Sequence, residues 1–232
     1  MTAYRRQDVL ITILSLALLT AWDSGGIDMP LMRSLGNASG FAWREVVALQ
    51  WMHNGGRAVA WAVMAWMVWL AFTEPKRLAR GALSARGLPA HRRYWIGITL
   101  ACLLLVNLIK RTSATSCPWD LAEFGGVAQH ISHWALLARD GGPGQCFPSG
   151  HSSAAFAFFT LYFLHRQTDS RRANFYLVGV CVAGVAFSLT QIARGAHYPS
   201  HALWSAWLSW ALCCLADAWL MRQRAMPVPA PR

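Results

Sequence analysis

Residues 58–72 read AVAWAVMAWMVWLAF and residues 94–109 read YWIGITLACLLLVNLI. Neither stretch contains a charged residue. Their composition suits helices facing lipid, where every backbone N–H and C=O must be satisfied within the segment. Four more apolar runs follow the same pattern, so six spans are predicted, at about 8–23, 56–73, 94–109, 151–165, 174–193 and 201–221. The last two approach the roughly 20 residues a helix needs to cross a bilayer; the others borrow flanking residues. Charges inside the runs are nearly absent, with Asp217 near the end of the sixth the clearest exception. Six such runs would leave a soluble protein too little polar surface to cover them. The fold class predicted is all-α, one membrane-embedded domain over residues 1–232, a six-transmembrane-helix bundle with short helices in its outer loops.

Composition agrees. Apolar residues make up 55% of the chain and charged residues 13%, with 13 tryptophans, a residue that favours the membrane–water boundary. The net charge of +11 raises the question of nucleic acid, and the placement of the charges answers it. Arg5, Arg6, the connection from Lys76 to Arg93, Arg166, Arg171, Arg172 and the tail arginines hold fourteen of the 21 basic residues on one side of a six-span layout. Cytoplasmic loops are enriched in Lys and Arg, so both termini are expected in the cytoplasm and nucleic acid is not needed. The first span has a basic start and an apolar middle, as a secretory signal does. AWDSGGIDMP offers a poor cleavage site, however, so it is read as an uncleaved anchor.

Three loops then face outward, at about 24–55, 110–150 and 194–200. FAWREVVALQWMHNGG (41–56) predicts a short interfacial helix ended by Gly55 and Gly56. In VAQHISHWALLARDGGPG (127–144), Val127, Ile131, Trp134 and Ala138 share one helical face. Cys102, Cys181, Cys213 and Cys214 fall in spans and read as small apolar fillers. Cys117 and Cys146 fall in the second outer loop, on an oxidising side; a disulfide between them is expected, against two free loop thiols.

Three polar clusters sit on the outer ends of the spans: KRTSATSCPWDL (110–121), CFPSGHSS (146–153) and QIARGAHYPSH (191–201). Pro148 and Gly150 permit a sharp turn into a helix that Ser149 can cap, with His151 in its first turn. Such a helix start attracts phosphate. Lys110, Arg111 and Arg194 add cations, and His197 and His201 add imidazoles four residues apart. Each cluster alone reads as capping or interfacial anchoring. Together they place cations that stabilise a phosphoryl group beside imidazoles that do nucleophilic and acid–base work. A zinc site built from His130, His133, His151, His197 and His201 is the alternative use of these rings, although no spaced ligand motif supports it.

In this order and on these spans, the clusters resemble the signature of the type-2 phosphatidic acid phosphatase superfamily, which also includes vanadium haloperoxidases. That signature is Lys-x6-Arg-Pro, Pro-Ser-Gly-His and Ser-Arg-x5-His-x3-Asp. The resemblance covers about residues 94–221. It implies a six-helix membrane core and metal-independent phosphoester hydrolysis without a cofactor. His197 would form a phosphohistidine, His151 would protonate the leaving group, and Lys110, Ser149, Gly150 and an arginine would hold the phosphate. Three positions depart from the signature: Cys117 and Gln191 stand where it has arginines, and His201 where it has the aspartate that orients the nucleophile. Arg111 and Arg194 are candidate replacement cations. His201, accepting a hydrogen bond from His197, or else Asp120 or Glu123, is the candidate orienter.

The expected function is removal of a terminal phosphate from a membrane lipid at the periplasmic face of a bacterial inner membrane. Undecaprenyl diphosphate, lipid A phosphate, phosphatidylglycerophosphate and phosphatidic acid are the candidate substrates. The alternatives are phosphotransfer by the same chemistry and a non-catalytic protein that binds a lipid phosphate.

Overall fold

The computed structural model describes residues 3–73, 87–135 and 138–225. The basic connection at 76–86 and the proline-rich tail therefore lie outside the described residues. Helix α1 (Ala3–Ser24) leads through a glycine turn to α2 (Asp28–Leu35), bent by 66° from it. A two-residue antiparallel ladder follows, β1 (Gly36–Asn37) with β2 (Gly40–Phe41), Gly36 opposite Phe41. The remaining elements are α3 (Val47–Phe72), α4 (Gly87–Thr112), α5 (Gly150–Phe156), α6 (Phe159–His165), α7 (Ser170–Ala193) and α8 (Pro199–Ala225). Two 3-10 turns, at Pro118–Asp120 and Ala122–Phe124, shape the loop after α4.

Among the described residues, α3, α4, α7 and α8 are each long and apolar enough to cross a membrane; the bent α1–α2 pair would make a fifth. The six expected spans differ from this at the first and the fourth. Helix α1 is 22 residues long but carries Asp8 and Asp23 within its apolar run, and it counts as a spanning unit only together with α2. The run at 151–165 is two seven-residue helices, broken at Ala157 and Phe158. Most of its side chains are buried, packed against α4, α7 and α8. A segment that is apolar on every side is stable when protein surrounds it, and here neighbouring helices take the place of lipid. The fit is close: a Cβ on Gly184 of α7 would stand 2.2 Å from the Phe156 ring.

The main core lies around this central segment. Trp95, Phe163 and Cys213 are almost fully buried there, with Phe159, Trp210 and Met67 beside them. Outward-facing apolar residues, such as Leu104, Val182, Leu189 and Leu215, remain exposed, as lipid contact requires. A second cluster (Met29, Met32, Phe41, Leu121, Phe124 and Tyr198) caps the end where α7 passes to α8.

Both expected loop helices are corrected. The helix predicted over 41–56 is instead the first two and a half turns of α3, which begins at Val47 and runs through Gly55 and Gly56. Gly56 does not stop it, because it is a packing position: a Cβ there would lie 2.7 Å from the Phe187 ring. The stretch at 127–135 is irregular. Its N–H groups donate elsewhere, Val127 and Ala128 to the Asp120 carbonyl and Gln129 to that of Asp140, so no i−4 ladder forms.

Arg166, counted in the sequence among the loop charges, is buried, with 4% of its surface exposed. Its Nη1 donates to Asp8 at 2.7 Å and its Nη2 to Asp217 at 2.6 Å. This triad ties the start of α1 and the end of α8 to the end of α6, and it accounts for a carboxylate inside an apolar run.

Candidate active site

The three polar clusters meet because the loops that carry them are hydrogen-bonded to one another. Gln145 N donates to Ser113 O at 2.8 Å and Cys146 N to Thr115 O at 2.9 Å. Asp140 accepts from the Ser116 N–H and hydroxyl, and Gly144 N donates to Ser116 Oγ. A disulfide joins Cys117 to Cys146 across the same pair of strands of chain. The loop after α4 is thus fastened to the entry of α5. That entry is fastened in turn to α8: Ser149 N donates to His201 O, and the Ser205 hydroxyl donates to Ser149 O at 2.8 Å. Ser149 is fully buried and caps α5, accepting from the N–H and the hydroxyl of Ser152.

His151 and His197 face each other with ring centroids 6.3 Å apart. Lys110, at the end of α4, reaches the start of α5, where its Nζ would lie 3.9 Å from a Cβ on Gly150. Its charge acts on both rings, and that of Arg194 acts on His151. Arg194 closes α7 and donates from Nε to the Arg44 carbonyl at 3.2 Å, while its Nη1 is buried with no hydrogen-bond partner. The residue that sequence reading missed is His53 of α3, whose ring lies 4.0 Å from that of His151. Arg57, four residues on, and Gln191 lie near it. The signal was present, since His53 and Arg57 share a helix face at i and i+4. It was lost when 41–56 was read as a separate helix.

His53 and Gln191 interact through their side chains, whereas Nδ1 of His151 and Nη1 of Arg194 are buried without a hydrogen-bond partner among the described residues. Buried polar groups are nearly always paired, so a group of unpaired ones marks a place built to meet a ligand.

The environment of His197 fixes its tautomer. Its Nδ1 lies 3.4 Å from Cys146 Sγ. A disulfide sulfur has no hydrogen to give, and the Cys146 backbone also accepts from this ring, so these neighbours favour a proton on Nδ1. The lone pair is then on Nε2. Burial holds the His197 pKa well below the ordinary histidine value, helped by the positive charge of Lys110 and the neighbouring rings of His201 and His151. The ring is therefore neutral at physiological pH. His201 does not take a hydrogen bond from it directly. The His201 Nδ1 donates to the Cys146 carbonyl at 3.0 Å, and the two ring centroids are 5.9 Å apart.

Comparison with known proteins agrees with this geometry. The pattern of the PAP2 superfamily matches residues 92–225, more than half of the chain. The chain belongs to the PAP2 superfamily. Over 126 residues it is 29% identical to a lipid A 1-phosphatase of Rhizobium johnstonii, covering 50% of this chain and 46% of that protein. Over 155 residues it is 27% identical to a lipid A 1-phosphatase of Rhizobium etli, covering 57% and 60%. The chain thus spans about half the length of these curated relatives. No solved structure matches it.

Within this PAP2 fold the positions that depart from the signature have distinct surroundings. The position of the first arginine is Cys117, bonded to Cys146 beside His197. The second is Gln191, and Arg194 is the cation near His151. Arg111, the other candidate cation, is exposed, and no hydrogen bond or ion pair among the described residues ties it to the site. The candidate carboxylates are engaged elsewhere: Asp120 with Trp119 Nε1 at 3.1 Å and Glu123 with Arg33. A different carboxylate enters the ring system. Asp23 accepts from His133 Nε2 at 3.2 Å, and His133 stands edge-on to His201 with centroids 5.5 Å apart. His130 lies against Tyr198 instead. The five-histidine zinc set is therefore strung out from His151 to His133, not gathered round a point. Among the described residues, the group whose ligand atoms do converge is Cys117, Cys146 and His197.

Proposed function

We propose that this PAP2 protein removes a phosphate from the head group of a membrane lipid through a phosphohistidine on His197. The observation that carries the reading is the 6.3 Å separation of the His151 and His197 rings, with Lys110 acting on both. His197 Nε2, bearing the lone pair, attacks phosphorus in line with the leaving oxygen. Burial and the charges of His53, Lys110, Arg57 and Arg194 push the His151 pKa down to about 3. A bound phosphate anion offsets those charges, so His151 takes up a proton from solvent with the substrate, gives it to the leaving oxygen, and then takes one from the water that hydrolyses the phosphohistidine. Lys110 and Arg194 offset the charge on the non-bridging oxygens, and Gly150 leaves the start of α5 open to them. Cys146 keeps Nδ1 protonated, a role more often filled by a carboxylate; a disulfide stabilises an imidazolium less.

The substrate reading is a lipid A-type glycosyl phosphate, supported by the two similar lipid A 1-phosphatases. The site is proposed to face the periplasm of the inner membrane with both termini cytoplasmic. Arg92, Arg93, Arg171, Arg172, Arg222 and Arg224 all lie toward the opposite ends of their helices, which supports that orientation. A second reading, binding of a lipid phosphate without cleavage, rests on the loss of the signature aspartate and two arginines.

The test is phosphate release by the purified chain in detergent from lipid A, undecaprenyl diphosphate, phosphatidylglycerophosphate and phosphatidic acid. Release is expected from lipid A and absent in His197→Ala, with acid-labile label trapped on the wild type alone. Equal release by His197→Ala would refute the nucleophile. Tight lipid A binding with no release in the wild type would favour the second reading.

A further inference from the structure

The disulfide beside His197 has a second chemical form. We infer that Cys117, Cys146 and His197 Nδ1 make a three-ligand site for a thiolate-seeking cation such as Zn²⁺ once the disulfide is opened. The two sulfurs and Nδ1 already lie within 4.8 Å of one another, with Nδ1 3.4 Å from Cys146 Sγ. A tetrahedral zinc ion with Zn–S of about 2.3 Å and Zn–N of about 2.0 Å sets a sulfur and a nitrogen roughly 3.5 Å apart. That pair needs no rearrangement, and the sulfurs separate by side-chain rotation. Two thiolates and an imidazole are a common zinc set, leaving the fourth position for water.

The ligands would stay in place without the S–S bond. Cys146 is held by its own N–H to Thr115 O and by its carbonyl to His201 Nδ1, and Gln145 N holds the neighbouring strand of chain through Ser113 O. The hydrogen bond from His201 would then hold the backbone of Cys146, which carries one of the ligands. Reduction begins at Cys117, which is half-buried, whereas Cys146 is fully buried. A dithiol supplies two electrons and two protons, becomes a disulfide itself, and leaves two thiols. Zn²⁺ displaces both thiol protons. It also needs a bare Nδ1, so the ring proton moves to Nε2, and the lone pair assigned above to phosphorus is lost. Inhibition by the cation rests on the phosphatase reading; binding does not.

The experiment uses the full chain in detergent, oxidised or reduced with a phosphine that is then removed without air, and titrated with Co²⁺. Cys102, Cys181, Cys213 and Cys214 are free in both forms, so the difference between the forms reports on the pair. The reduced protein is expected to bind one further equivalent, with a thiolate-to-cobalt charge-transfer band that Zn²⁺ abolishes. Reduced His197→Ala should bind at least tenfold more weakly. Identical titrations of the oxidised and reduced protein, or of reduced wild type and reduced His197→Ala, would overturn the site. One equivalent of Zn²⁺ should stop phosphate release by the reduced protein only, reversibly with a chelator. If both forms lack phosphatase activity, the functional reading fails while the cobalt spectrum still decides the site.

Discussion

Two buried polar clusters stand at opposite ends of this bundle. One is the Asp8–Arg166–Asp217 triad; the other is the group of histidines around His151 and His197. On α8 they are separated by the 16 residues from His201 to Asp217, roughly 24 Å at the rise of an α-helix. In the triad, each carboxylate receives its own guanidinium arm at hydrogen-bond distance. In the histidine group, buried nitrogens of His151, His201 and Arg194 have no partner among the described residues. Polar groups that satisfy one another hold helices in register. Polar groups left unsatisfied cost stability and are retained where a ligand will meet them. On the proposed function, the same chain uses buried polarity for architecture at one end and for chemistry at the other.

That contrast is broken most directly by exchanging the readouts. His197→Ala should lower phosphate release on the order of 10⁴- to 10⁶-fold, the range for loss of a nucleophile or its partner in hydrolases. Its thermal unfolding in detergent should barely change. Arg166→Met should do the reverse, leaving two buried carboxylates unpaired and costing about 3–5 kcal/mol of stability, read as a fall in unfolding temperature. Adding Asp8→Asn and Asp217→Asn to Arg166→Met should recover much of that loss. If Arg166→Met spares stability and removes activity, the division between the two ends is wrong.

Two smaller effects sharpen the division. His53→Ala removes the ring 4.0 Å from that of His151 and should slow turnover by about 10²-fold, the lower end of what loss of a well-placed acid–base group costs. In a melt it should destabilise the fold by about 1 kcal/mol, the usual net worth of the hydrogen bond it loses with Gln191. The smallest effect is on pH. Positive neighbours and burial disfavour the His197 imidazolium, so the acid limb of kcat/KM should fall well below pH 6.5. Lys110→Met removes one of those positive neighbours. The limb should then move to higher pH, apart from any loss in phosphate binding. A limb that stays put would mean that His197 does not set it.

Four spans could be read from composition, because lipid leaves an apolar run with no alternative to the helix. The other two expected spans could not. Asp8 and Asp23 weaken α1, and whether the run at 151–165 meets lipid or protein depends on its neighbours. At the candidate site, His151, His197 and Lys110 were legible because they fall at motif positions, and Arg194 only as a cation one helical turn from Gln191, which stands where the signature has arginine. His53 was not, since its helix was taken to end at Gly55 and Gly56. Gly56 is instead where α3 approaches Phe187.

The sequence by itself determined that the chain is helical and membrane-embedded, and which residues bring imidazoles and cations to the helix ends. These follow from local composition, because backbone satisfaction in lipid and residue chemistry depend on few neighbours. Only the tertiary structure decided what stands behind each imidazole: Cys146 against His197, the Cys146 carbonyl against His201, Asp23 against His133 and His53 against His151. Those partners come from segments dozens of residues apart, and their meeting depends on loop paths set by hydrogen bonds such as Cys146 N to Thr115 O. No local propensity encodes that pairing.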